Sequence, residues 1–248
     1  LSPADCAGAR AARLASGRSD LAERLRRGEA TVGELFARLS GLYFRGKLAY
    51  ARAFARPPDP MAPLSGSGVL VVTSRAGLVP ASAPLTPARL RALGRARIDP
   101  AHRRYRAPLE RSARKVAEEI GERTEVVLLG SVATEKYTAV LSAVFGERLV
   151  VPAALVGRGA LSRGALLLAA ATAGEELRYV PIVSGSGPQT ARRASAAGVR
   201  RRGAADAASP HSATSSATGQ SSNTSPKNSH SLVRLRTMRG SRPVSSSR

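Results

Sequence analysis

Val126-Val127-Leu128-Leu129-Gly130-Ser131-Val132-Ala133-Thr134-Glu135-Lys136-Tyr137 is an apolar run that breaks at glycine into a small-residue turn and then an amphipathic segment. The run is short enough for a strand buried on both faces, and Tyr137, Val140, Leu141 and Val144 then recur at helical spacing. The stretch therefore reads as strand, turn, helix. Val69 to Val72 repeats the pattern, ending in Thr73-Ser74-Arg75-Ala76-Gly77-Leu78-Val79-Pro80, and Arg148 to Val151 is a third such run, closed by Pro152. Continuously apolar strands separated by helical segments predict an α/β fold with a mostly parallel, Rossmann-like sheet flanked by helices. Ligand sites on such sheets lie outside the carboxyl ends of the strands.

The segments between these strands carry helix signals. Ser19 or Asp20 caps a short helix that Gly28 stops, and Thr31-Val32-Gly33-Glu34 is a capping box, with Val32, Leu35, Phe36 and Leu39 on one apolar face. Leu42 to Phe54 reads as a helix holding Tyr43, Phe44, Tyr50 and Phe54, four of the nine aromatics in the chain. Leu109 to Ile120 is a further helix that ends at Gly121 and leads into the 126 strand. Ala165 to Ala171 and Leu177 to Val183 suggest a C-terminal hairpin, in which Pro181 suits an edge strand, and a helix from Ser162 competes for the same residues.

Anion-binding candidates follow from this placement. Gly130 and Ser131, with Lys136 and Tyr137 on the following helix, sit where backbone donors at a helix start favour negative charge. Ser74 and Arg75 occupy the equivalent turn after Val69 to Val72, and Arg158 and Arg163 lie in a glycine-punctuated loop. Arg45 and Lys47 alternate with the aromatics of 42 to 54, a pattern that stacks on bases while the cations meet phosphates, or else buries the rings and lets the cations reach solvent. Ser131 or Thr134 also serves as a plain helix cap in the alternative reading. His102 has no partner group beside it in sequence, so no catalytic residue is assigned. No His, Cys and carboxylate cluster has metal-ligand spacing and no phosphate loop occurs, so we expect neither metal nor cofactor.

Composition sets the partner class. The chain of 248 residues carries 39 Lys+Arg against 17 Asp+Glu, of which 11 and one lie beyond Gly187, leaving 28 against 16 in the body. Such a balance draws a protein toward polyanions, although an arginine-rich, alanine-rich composition also follows from GC-rich codon usage. A single cysteine, Cys6, fits a reducing, cytoplasmic compartment, and no apolar run is long enough to span a membrane. The chain opens at Leu1 without methionine, and we expect a truncated amino end with part of a first strand missing. Residues 1 to 187 form the expected single domain. Residues 188 to 248 are Ser, Ala, Thr and Arg with no Leu, Ile or Phe before Leu232, which predicts a disordered basic tail.

Several landmarks in this order resemble the YaaA-type group of bacterial proteins and allied families. These are the Leu1-Ser2-Pro3-Ala4 opening, Leu42-Tyr43 followed by a helix, Thr73-Ser74 before Gly77-Leu78-Val79-Pro80, and Gly130-Ser131 before Lys136-Tyr137. The likeness covers roughly residues 1 to 160. Asp5 stands where a lysine tends to follow Ser-Pro-Ala in that group. The resemblance implies a compact mixed α/β fold, and the group's association with peroxide stress and DNA binding implies nucleic-acid contact. Three functional expectations result: binding of nucleic acid or a phosphorylated, nucleotide-like anion at the strand-end turns; an enzyme on a small polar or nucleobase-like substrate through Ser74, Ser131, Lys136 or Tyr137; and an intracellular scaffold without a ligand.

Overall fold

The computed structural model describes residues 6, 8–94, 99–130, 135–182 and 232–237. Four helices come first, α1 (Ala9–Ser16), α2 (Asp20–Arg27), α3 (Val32–Ser40) and α4 (Leu42–Phe54). The hairpin β1 (Val69–Thr73) and β2 (Gly77–Pro80) follows, then α5 (Pro87–Gly94), α6 (Arg103–Ile120), β3 (Thr124–Leu129), α7 (Glu135–Phe145), β4 (Leu149–Pro152), α8 (Ala160–Ala173) and β5 (Tyr179–Pro181). The last element, β6 (Leu232–Thr237), returns to the middle of the sheet, whose strand order is β2-β1-β6-β3-β4-β5.

The expected α/β class holds, but a mostly parallel sheet does not. Among the described strands only β3 and β4 pair in parallel, as a strand-helix-strand unit requires; β1 with β2, β1 with β6, β3 with β6 and β4 with β5 are all antiparallel. Two physical causes act. Thr73-Ser74-Arg75-Ala76-Gly77 closes a tight hairpin instead of leading into a crossover, and β6 fills the slot between β1 and β3 running against both. At that hairpin Gly77 has φ +68°, and a Cβ there would lie 2.3 Å from the Pro108 carbonyl oxygen, so the turn needs glycine twice over.

The sheet separates two apolar layers. Val69, Val71, Val127, Leu129, Val150 and Leu232 face α1 to α5 and α8, whereas Leu70, Val72, Val126, Leu128, Leu149, Val151, Val233 and Leu235 face α6 and α7. Strands covered on both sides explain the continuous apolar runs of the sequence. The expected hairpin over 165 to 183 is replaced by α8, because Ala165 to Ala173 lays Leu167 and Ala170 against α4 at helical spacing; only Tyr179–Pro181 becomes a strand, at the sheet edge as Pro181 demands. Within the tail, Leu232–Thr237 is an ordered central strand, which corrects the expectation of disorder for these residues; 188–231 and 238–248 lie outside the described residues.

The capping box forms as expected. Glu34 accepts from the Thr31 backbone N–H at 2.8 Å and its hydroxyl at 2.9 Å, while Arg24 donates to both carboxylate oxygens at 2.9 and 3.0 Å. Hydrogen bonds from Arg24 and then Thr31 outweigh burial and bring the Glu34 carboxyl from 4.5 down to about 2. A carboxyl lowered in the folded state stabilises above its ordinary pKa, and that contribution is lost as the pH falls from 4.5 to about 2. Glu34→Gln should cost ~1–2 kcal/mol in urea unfolding at neutral pH and leave a flatter acid limb; an unchanged acid limb would show that the pair does not titrate with folding.

Candidate functional site

Strand direction shows which ends of the strands share an edge of the sheet. Because β6 runs against both β1 and β3, and β3 runs with β4, the carboxyl ends Thr73, Leu129 and Pro152 share one edge of the sheet. Helix α4 ends at the other edge, where the Arg56 N–H donates to Leu235 and Arg56 bridges Arg236, so its first turns point back to the carboxyl edge. Helix α8 follows β4 and starts at that edge too. The helices meet at two glycines: a Cβ on Gly46 would lie 2.3 Å from the Gly164 carbonyl oxygen, and one on Gly164 would lie 2.7 Å from Tyr43 Cα.

This close crossing brings two of the expected cations together. Lys47 is 2% exposed, with Nζ 3.8 Å from the centre of the Tyr43 ring. Burial first, and the positive charge of Arg163 second, lower the Lys47 ammonium from 10.5 to about 7. The half-buried Arg163 also flanks the Tyr43 hydroxyl; burial raises that phenol, and Arg163 opposes the rise. Among the described residues the buried Arg163 Nε meets no acceptor. The like charge of Arg163 thus adds to burial in favouring the neutral form of Lys47.

The other expected residues go elsewhere. Ser74 is buried and its Oγ donates to the Leu93 carbonyl at 2.8 Å, a structural clamp beneath α5, while Arg75 is exposed on the hairpin. Gly130 is buried just past β3, Lys136 is half-buried in the first turn of α7, and Ser131 lies outside the described residues. Tyr137 is core on the opposite side of the sheet, beside Tyr105, whose phenol burial and Tyr137 together push up. Arg45 and Arg158 are exposed, the latter 3.4 Å from the Ser162 hydroxyl. Ser74 is thus held to Leu93 beneath α5 and Tyr137 is packed in the α6 and α7 layer, while Ser131, the other hydroxyl of the expected enzyme set, lies outside the described residues.

Sequence reasoning passed over Tyr43 as a site residue, although Gly46 three residues on, and Gly164 beside Arg163, were the signal of a close helix approach. It also passed over Tyr50, Glu176, Tyr179 and Arg234, which form one network below α4. Among the described residues no three His, Cys, Asp or Glu side chains gather as a metal site, and no helix is long and apolar enough to cross a membrane. No family model, curated protein or solved structure matches this chain.

Proposed function

We propose that this protein binds a phosphorylated small molecule, or a nucleotide-like anion, at the carboxyl edge of the sheet. The observation that carries this reading is the convergence of Lys47 and Arg163, from two different helices, on Tyr43. An oxyanion would receive charge-assisted hydrogen bonds from both, and Gly130 lies along the same edge. Calorimetric titration of inorganic phosphate and of a nucleoside monophosphate tests it. Lys47→Met and Arg163→Gln should each weaken binding by at least ~10-fold. Equal affinity in the variants, or no binding by the wild-type chain, removes the reading.

A second reading, nucleic-acid binding, is favoured by the amino end of α6. There His102, Arg103, Arg104 and Arg111 surround Ala107 and Pro108 in an open groove of about 660 Å³ that has no acid in its lining among the described residues. Glu110, the nearest acid along the helix, pairs instead with Arg114 at 2.7 Å and Arg106 at 3.9 Å. Each phosphate contact adds to the salt dependence of binding. Arg104→Gln with Arg111→Gln should lower the slope of log affinity against log salt by about 2 on a DNA duplex; an unchanged slope excludes this groove.

A further inference from the structure

Arg234 stands at the centre of the sheet and is fully buried. Among the described residues, the groups that hold its guanidinium come from other elements than its own strand. One terminal nitrogen donates to the Phe54 carbonyl; the other donates to Glu176 at 2.7 Å and to the Tyr179 hydroxyl at 2.6 Å. The guanidinium carbon lies 5.1 Å from the Tyr179 ring centre and 5.7 Å from that of Tyr50. The cage is itself braced: the Tyr50 and Tyr179 hydroxyls are 2.5 Å apart, Tyr179 donates to Glu176 at 2.9 Å, and the Leu177 N–H donates to Tyr50 at 2.8 Å. Among the described residues Arg234 Nε meets no acceptor, so recognition falls on the two terminal nitrogens, the part of the fork that every monosubstituted guanidinium presents.

We propose that Tyr50, Glu176, Tyr179 and the Phe54 carbonyl form a guanidinium-binding site, and that Leu232–Thr237 is a strand ligand of the preceding fold, held in register by Arg234. A slip of one residue would turn Arg234 toward the layer of Leu128 and Leu141 and leave Glu176 without its partner. The site reads shape as well as charge: two aromatic faces and a carboxylate with a carbonyl suit a planar fork, and a compact ammonium satisfies only one of these acceptors.

Chemical rescue tests this in the full chain. Arg234→Ala should lower the thermal midpoint, and methylguanidinium at millimolar concentration should raise it again along a saturating curve, as a ligand that binds only the folded state does. Methylammonium should give no such rise, and Arg234→Ala combined with Glu176→Gln should lose the response. An equal response to methylammonium, or none in a variant with wild-type circular dichroism, overturns the proposal. Should Arg234→Ala not fold, Glu176→Gln in the otherwise intact chain decides. Hydrogen exchange at the Val233 and Leu235 amides should then accelerate at least ~10-fold while β4 amides hold their rate, since a strand ligand loosens before the fold that receives it; unchanged exchange at both amides overturns the proposal.

Discussion

Gly46→Ala is expected to destabilise the protein by about 3 kcal/mol or more, even though alanine is the better helix former by ~1 kcal/mol. Position 46 is inside α4, so the substitution brings no backbone strain of its own. The cost is contact: the new methyl would sit 2.3 Å from the Gly164 carbonyl oxygen and 3.2 Å from Gly164 Cα. A backbone oxygen is not the free end of a side chain, so relief requires α4 and α8 to separate. Separation would open the apolar layer that holds Phe44, Leu48, Leu167 and Ala170. Gly164→Ala should behave alike, with its methyl 2.7 Å from Tyr43 Cα. Gly159→Ala is the control, since it has φ −70° and its Cβ would meet nothing within 4 Å. Urea unfolding of the three variants checks this; a Gly46→Ala variant as stable as Gly159→Ala would show that the helices do not cross so closely. Because the crossing also sets Lys47 against Arg163, Gly46→Ala should weaken phosphate binding along with stability.

The strands read at Val69 to Val72, Val126 to Leu129 and Arg148 to Val151 were legible because their covered faces made continuous apolar runs. The capping box and the 42 to 54 helix were legible because caps and helical periodicity are local. Direction was not: nothing within Val69 to Val72 tells whether the next strand returns by hairpin or by crossover, and Gly77 served either reading. Leu232–Thr237 was hidden by averaging. Across the tail the mean is polar, yet Val233 and Leu235 face one layer while Leu232, Arg234 and Arg236 turn to the other, and a buried arginine looks polar until its cage is known. The candidate site was half legible for a related reason. Lys47 and Arg163 were both singled out as cations, but they lie more than a hundred residues apart, and only the two glycines hinted that their helices touch.

Lys47 should leave a distinct mark on the pH dependence of stability. Its ammonium is lowered from 10.5 to about 7, with Tyr43 from its own helix and Arg163 from α8 facing it among the described residues. Between these two values the folded lysine has shed its proton and the unfolded one still holds it, so stability rises with pH across that window. Buried tyrosines act in the opposite sense and later. Burial raises Tyr43, Tyr50, Tyr105 and Tyr179, so above about pH 10 the unfolded chain loses protons that the folded chain keeps, and stability falls. The wild-type profile should thus climb by on the order of 3–4 kcal/mol from neutral pH to about pH 10 and then turn over. Lys47→Met should abolish the climb and keep the turnover, which isolates the lysine by difference. Anion binding should run the other way, because the protonated form attracts the ligand: phosphate affinity of the wild-type chain falls as the pH rises above about 7, just where stability increases. Parallel stability profiles for wild type and Lys47→Met would mean that Lys47 keeps its proton in the folded chain, and the site at α4 and α8 would then bind its anion without regard to pH.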